Sequence, residues 1–384
     1  MKKICIVTTM WSSINNWITP FLNEYNDRGI DVTVVCNMNE EYEIELKKRF
    51  PFLHTYSIPF PRGINFFGSL KSVKALNDFF RRSSFDMVQY STPNASFYAS
   101  LAAKLQKIPV RLYCQWGMVY VTQTGIKRKI FRYMEKTICK NSTCIQPDSV
   151  GNLEFCRKEG FYGESNSCVI WNGSAKGIDL SAYDVTKKSE YAEEIRERYG
   201  LKDSDTVIGF VGRLGREKGC NELFTAFRKI KADHENAKLL FVGPIEKEDT
   251  IDPELLEYFR SCDDIIKTGR VSDVEKHMAA MDVFTLPSYR EGFGMSVVEA
   301  SAMEVPVVTT NYPGPSSAML EGVTGLCVDV KDADGLEKAL RDLITDKEKA
   351  AQMGKNGRNF VVNSFDQKIF IKKYMDNRMD LLGL

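Results

Sequence analysis

The chain has 384 residues, 43% hydrophobic and 27% charged, and its 52 Lys and Arg against 51 Asp and Glu give a net charge of +1. That length allows two domains of ordinary size. The near-neutral balance and the lack of any recognisable binding module argue against a nucleic-acid partner, and no apolar run is long enough to span a bilayer. The apolar start at residues 4–7 is cut short by Thr8 and Thr9, so it reads as a β-strand rather than a signal peptide.

Strand and helix signals alternate along the whole chain, which predicts α/β domains with parallel sheets. In the first half, apolar runs predict strands at 4–7, 32–35, 87–90, 110–114, 143–145 and 168–170. Helical patterns fall between them at 17–27, 70–81, 96–105 and 129–137. Residues 172–188, rich in Gly, Ser and Asp, break the pattern and read as a hinge, and a polar helix-prone stretch follows at 189–199. The alternation then restarts, with strands at 207–211, 239–242, 265–266, 283–286, 307–309 and 325–328. Helices are expected at 220–231, 253–260, 335–344 and 347–361, and the final stretch 366–382 is amphipathic. The expected architecture is two Rossmann-like domains facing each other across a cleft, with a ligand between them. The first domain covers 1–183 and the second 184–364; residues 365–384 form a last helix. Charge divides unevenly: 1–183 carries 23 Lys/Arg and 15 Asp/Glu (+8), and 184–384 carries 29 and 36 (−7). A positive half suits an anionic surface or substrate; ordinary solvated charge explains the sum equally well.

Ten cysteines are scattered without a CxxC pair, several inside apolar strands (Cys5, Cys36, Cys114), and only three histidines exist (His54, His234, His277). A zinc site is therefore not expected, and the thiols read as reduced and buried in a cytosolic protein.

Two carboxylates carry the strongest signal. Ser288-Tyr289-Arg290-Glu291-Gly292-Phe293-Gly294-Met295-Ser296-Val297-Val298-Glu299-Ala300 follows an apolar strand that ends at Pro287, and it runs into a helix over 295–303. Glu291 then lies on the strand-to-helix loop and Glu299 about one turn into the helix. Both point beyond the C-terminal end of a strand, where open α/β sheets bind ligands. Gly292 and Gly294 let backbone N–H groups approach an anion at the helix N-terminus. Carboxylates suit hydroxyls and free N–H groups suit phosphate; a nucleotide sugar has both. Upstream, Gly212-Arg213-Leu214-Gly215-Arg216-Glu217-Lys218-Gly219 also joins a strand to a helix. Arg213 and Lys218 can bind a diphosphate there. Neither GxGxxG nor GxxxxGK[ST] occurs, which argues against dinucleotide enzymes and P-loop NTPases.

With Phe241-Val242-Gly243 and Pro287-Ser288, these motifs resemble the family 4 glycosyltransferases of GT-B fold, and the resemblance runs through nearly the whole chain. In the first half, Tyr90-Ser91-Thr92-Pro93-Asn94-Ala95, Ile108-Pro109-Val110-Arg111, Gly125-Ile126-Lys127-Arg128-Lys129 and Gly173-Ser174-Ala175-Lys176-Gly177-Ile178-Asp179 resemble a narrower group. Its members build capsular polysaccharide and O-antigen units on a polyprenyl diphosphate lipid. The resemblance implies a retaining transferase that needs no metal or other cofactor, with the last helix returning to the first domain. Arg213 and Lys218 would neutralise the leaving diphosphate. Glu291 would face the donor sugar and Glu299 the ribose. Gly212 and the backbone of Gly292, Phe293, Gly294, Met295 and Ser296 would hold phosphates or sugar. The expected donor is a UDP-sugar carrying a hexose or N-acetylhexosamine.

Related enzymes often carry a His in the segment that here reads Cys114-Gln115-Trp116-Gly117, so a His general base is excluded there. The acceptor proton is expected to pass to the leaving phosphate. Trp116, Gly117, Thr92 and Asn94 are candidates for acceptor binding, with core packing the alternative for Trp116. Lys127, Arg128, Lys129, Arg132, Lys136 and Lys140, interleaved with apolar residues, predict a basic helix resting on an anionic membrane. Residues 60–67 are a second such candidate. The expected location is cytoplasmic, peripheral on the inner face of the cell membrane. Two competing readings are a UDP-sugar epimerase of the same fold and a non-catalytic nucleotide-sugar binder.

Overall fold

A computed structural model describes the chain except Arg62, Ile64 and Asn65, and of Phe66 and Phe67 the backbone alone. It divides into two units, one comprising Met1–Lys176 and Lys368–Leu384, the other Gly177–Gln367.

The first unit is built on six parallel strands: β1 (Lys3–Met10), β2 (Asp31–Asn37), β3 (His54–Ser57), β4 (Met87–Tyr90), β5 (Val110–Gln115) and β6 (Cys144–Pro147). Their order is β3-β2-β1-β4-β5-β6. β1 is central, with Ile4 opposite Val32 on one side and Met87 on the other. Ile4, Cys5, Ile6 and Val7 are all fully buried, as a strand with helices on both faces must be. Strand order reverses between β1 and β4, which makes the ends of those strands a topological switch point.

Three sequence expectations need correction here. Residues 168–170 form no strand. Ser167 pairs with Ile145 at a single bridge, Cys168 N donates to Ile145 O (3.1 Å), and the chain then turns through Trp171 at φ +50°. The sixth strand is instead β3, a mostly exposed edge without an apolar run, so no hydrophobic pattern announces it. The helix expected at 17–27 is two, Trp11–Trp17 and Thr19–Asp27. Pro20, which has no N–H to continue the first, starts the second.

The last helix, Gln367–Leu382, closes the first unit. Phe370, Tyr374, Met375 and Leu382 are buried in its core, and Tyr374 stacks on Phe21 at 3.9 Å. Arg378, 1% exposed, lies 3.8 Å above the Tyr374 ring. Its guanidinium donates to Gln146 Oε1 (2.6 Å), Asn377 Oδ1 (2.7 Å) and Gln89 Oε1 (3.2 Å).

The second unit repeats the plan with β7 (Thr206–Val211), β8 (Ala237–Val242), β9 (Ile265–Gly269), β10 (Val283–Leu286), β11 (Val307–Thr310) and β12 (Gly325–Val328). The order is β12-β11-β10-β7-β8-β9, so its switch point lies between β7 and β10. Phe210, Phe224, Phe241 and Phe259 form one aromatic stack, with Phe210–Phe241 and Phe224–Phe259 both at 4.8 Å between ring centres. This stack fixes β7 and β8 against the flanking helices.

The divisions fall at 176/177 and 367/368 rather than at the expected 183/184 and 364/365. Backbone pairing explains the shift: Ile178 N donates to Phe365 O (2.7 Å) and Gln367 N to Ile178 O (2.9 Å), which fastens both segments to the second unit. Among the described residues, no helix is long and apolar enough to cross a membrane.

Candidate active site

Two loops meet at the second unit's switch point. The loop after β7 ends in a short helical turn, Arg216–Lys218, and leads into the helix Cys220–Lys231. The loop after β10 leads into the helix Met295–Ala302. Gly219 joins the first turn to its helix at φ +73°, and a Cβ there would lie 2.0 Å from Pro287 O. Only glycine lets the two loops approach so closely. They are also bonded: Tyr289 N and Ser288 Oγ both donate to Glu217 O (3.0 Å each), and Tyr289 OH donates to Glu222 Oε2 (2.6 Å).

This contact brings the predicted charges together. Lys218 Nζ donates to Glu291 Oε1 at 2.5 Å, with both side chains largely shielded from solvent. Arg213 reaches Glu217 Oε1 at 3.4 Å and Glu246 Oε2 at 3.9 Å. Gly294, at φ +99°, opens the helix Met295–Ala302, so the first N–H groups of that helix begin beside the Lys218–Glu291 pair. Phe293 turns its ring into the core, 5.1 Å from Phe365. It offers a ligand only its backbone. Gly292 is buried, while Met295, Ser296 and Glu299 are half-buried.

Four residues that received no role from the sequence also belong here. Glu217 gathers cations on one oxygen: Lys247 Nζ at 2.8 Å, Arg213 at 3.4 Å and Arg290 at 3.9 Å. Burial alone would raise its carboxyl, but the hydrogen bond from Lys247 and the nearby Lys247 and Arg290 charges hold it at about 2. Tyr183 hydrogen-bonds Glu299. Burial, then the Glu299 and Glu275 charges, push that phenol well above its usual range, so it remains a donor that orients Glu299. Glu217 and Arg290 lie inside the motifs already singled out. Tyr183 lies far away in sequence, and no local pattern marks it.

In the first unit the candidates differ in kind. Thr92 sits just after β4 at φ +69°, a strained setting for a β-branched residue. Its Oγ1 is 2.7 Å from Thr9 Oγ1 and accepts from Thr9 N (3.0 Å). Asn94 is buried and donates to Pro61 O (2.6 Å) and Gly63 O (3.0 Å), so its amide braces a loop instead of facing an acceptor. Trp116 is half-buried, 6.2 Å from Trp17, and Gly117 turns the chain at φ +98°.

The basic helix spans Gly125–Asn141. Lys127 and Lys129 are exposed, but Arg132 pairs with Glu159 (3.0 Å) and lies over the Phe161 ring. Arg128 lies over the Tyr120 ring and is bonded to Val121 O (3.4 Å). Both arginines thus have partners within the unit, and Arg128 also stays exposed. Phe60 is buried, so it is not a membrane contact; Arg62, Ile64, Asn65 and the Phe66 and Phe67 side chains of that segment lie outside the described residues. The buried His277 is satisfied by Asp273 O (2.8 Å) and Tyr199 OH (3.1 Å). Among the described residues, no cluster of three or more His, Cys, Asp or Glu is placed to hold a metal.

Comparison with known proteins fits this geometry. Residues 192–360 match the model for glycosyl transferases group 1, and residues 3–149 that for glycosyl transferase 4-like proteins. The chain is 30% identical over 343 residues to the capsular polysaccharide biosynthesis glycosyltransferase CapM of Staphylococcus aureus, covering 89% of this chain and 88% of that one. It is 26% identical to a Campylobacter jejuni N,N'-diacetylbacillosaminyl-diphospho-undecaprenol alpha-1,3-N-acetylgalactosaminyltransferase, covering 97% of each. Among solved structures, Anabaena HepE in complex with UDP and glucose superposes with a TM-score of 0.79 at 17% identity, over 98% of this chain and 99% of that one.

Proposed function

The chain belongs to the family 4 glycosyltransferases, and from that premise we propose that it transfers a hexose or N-acetylhexosamine from a UDP-sugar to a polyprenyl-diphosphate-linked glycan during surface polysaccharide assembly. The transfer retains anomeric configuration and needs no metal. One observation carries this reading: Lys218, Glu291 and Arg213 converge with a helix N-terminus and the Tyr183-oriented Glu299 at one strand switch point. The nearness of two cations to a helix N-terminus suits a departing diphosphate, which needs its charge met as the bond breaks.

In this mechanism the donor's C1–O bond breaks and the acceptor hydroxyl oxygen bonds to C1 on the same face. The hydroxyl proton goes to the leaving phosphate oxygen, and the nucleoside diphosphate departs. Lys218 and Arg213 take up the developing charge. Glu299 accepts from the ribose hydroxyls and Glu291 from the donor sugar. Radiolabelled UDP-sugar incubated with polyprenyl-linked acceptor, with and without EDTA, tests the proposal. Label in the lipid fraction, unchanged by EDTA and α-linked from an α-donor, is expected. Isomerised donor would make the protein an epimerase, and retention without product would make it a binder.

We further propose that the first unit rests on an anionic bilayer. On the basic helix Ile126 (76% exposed) and Tyr133 (69% exposed) share a stripe with Lys129, Lys136 and Lys140, at helical spacing and open to solvent. Apolar anchors between ammonium groups suit a lipid headgroup layer. Co-sedimentation with phosphatidylglycerol vesicles should be lost when the three lysines become Glu; unchanged sedimentation would sink the membrane reading.

A further inference from the structure

A pocket of mixed polar and apolar lining lies in the first unit, where β5 and β6 end. It is lined by Trp17, Cys114, Trp116, Asp148, Ser174 and Arg378, among others. Asp148 follows β6 directly. Its backbone oxygen accepts from Ser174 N (2.7 Å), which holds the turn, but its carboxylate meets no hydrogen-bond donor among the described residues. Burial pushes that carboxyl well above the usual range, and no neighbouring cation offsets the effect. Arg378 lines the same pocket, yet its donors are spent on Gln89, Gln146 and Asn377.

Asp148 is half-buried, lines the pocket and accepts no side-chain hydrogen bond among the described residues, so its carboxylate is open to a ligand's donor. Its surroundings name the ligand class. The Trp17 and Trp116 indoles stand 6.2 Å apart and tilted by 49°, and the Lys176 ammonium lies 5.5 Å from the Trp17 ring centre. The cavity of about 30 Å³ admits a hydroxyl or hydroxymethyl group but not a whole sugar ring. The wall beside it is strained, with Trp171 at φ +50° and Ser174 at φ +96°, and strain of this kind collects at ligand sites. Apolar aromatic faces beside one placed polar group match a pyranose, which has a C–H face and hydroxyl donors.

We infer that Asp148, Trp17 and Trp116 seat the terminal sugar of the acceptor: its ring lies against the indoles and one hydroxyl arm reaches down to the Asp148 carboxylate. The inference rests on the glycosyltransferase reading for the identity of the acceptor, but the seat lies wholly in the first unit, apart from the residues that hold the donor.

The experiment uses the full-length protein, a UDP-sugar and a short-chain polyprenyl-diphosphate-linked monosaccharide. Asp148→Asn and Trp17→Ala should raise the acceptor KM at least tenfold and leave the donor KM and the UDP-induced thermal shift unchanged. Asp148→Asn should also melt at an equal or higher temperature than wild type, because a half-buried carboxylate whose charged form is disfavoured has been removed; a merely structural Asp148 would lower it. Tryptophan fluorescence titrated with the same acceptor, without donor, reads the seat even if no turnover occurs. Quenching in wild type that is weakened in both variants is expected. An unchanged acceptor KM, an unchanged titration, no quenching in wild type, or an equal rise in both KM values would overturn the seat. Absence of both transfer and a UDP shift in wild type would instead strike the donor reading, and the titration would still decide this one.

Discussion

Lys218 and Glu291 hold each other at 2.5 Å, so the lysine amine already stands where, in the proposed transfer, a diphosphate would depart. Removing it takes the cation from the largely shielded Glu291 and leaves Arg213 alone to meet the leaving group's charge. Lys218→Ala should lower kcat by about 10²–10³-fold, the scale seen when one preorganised charge stabiliser is lost, with Lys218→Arg recovering part; steady-state kinetics decides. A second residue reports on pH. Glu135, 4% exposed, accepts from Gln115 Nε2 (2.5 Å) and Tyr113 OH (3.0 Å). Burial nevertheless pushes its carboxyl up to about 7. The folded value lies above the unfolded one, so its stabilising contribution is full below about pH 4 and is lost as pH rises through about 7. Wild type should lose up to roughly 3 kcal/mol from this source between pH 4 and 8. Glu135→Gln should be flatter across that window and more stable than wild type at pH 8 in urea titrations.

Among the elements, the turn before the helix Cys220–Lys231 is the most constrained. Gly219 combines φ +73° with a Cβ position 2.0 Å from Pro287 O. In Gly219→Ala the two loops must part, which separates Lys218 from Glu291. The variant should fold, lose its UDP-induced thermal shift, and drop by about 1–3 kcal/mol in stability. The long apolar strands and periodic helices were legible: β7, β8 and β10 fall at or within two residues of the positions expected, and Cys220–Lys231 falls where its period places it. Elements without such a pattern were not. The exposed edge β3 and the helix Glu40–Arg49, in which only Tyr42 and Leu46 are buried, carry too few apolar residues to show a period.

Across the whole molecule, chain order and spatial order part company at the end. Residues 368–384 complete the unit in which the chain began, and Arg378 carries a buried positive charge into its core. Arg378→Ala would strand Gln146 Oε1 without its donor, leave Gln89 Oε1 with Tyr374 OH alone, and remove the cation from the Tyr374 ring. A loss of about 3–5 kcal/mol is expected, read from urea denaturation, as for other buried charged groups whose network is broken.

The sequence by itself determined the two α/β halves, the Glu291–Glu299 loop, the Arg213–Lys218 turn and the family, because each is written in contiguous residues with a strand before and a helix after. Periodicity and glycine placement are local physics, and they survive being read one segment at a time. Tertiary structure alone decided that Tyr183 orients Glu299, that Glu217 collects Lys247, Arg213 and Arg290, that Arg128 and Arg132 lie over the Tyr120 and Phe161 rings, and that the Asp148 carboxylate lines a pocket with two indoles. A side chain's partner depends on which distant segments the sheet brings beside it, and no spacing along the chain encodes that distance.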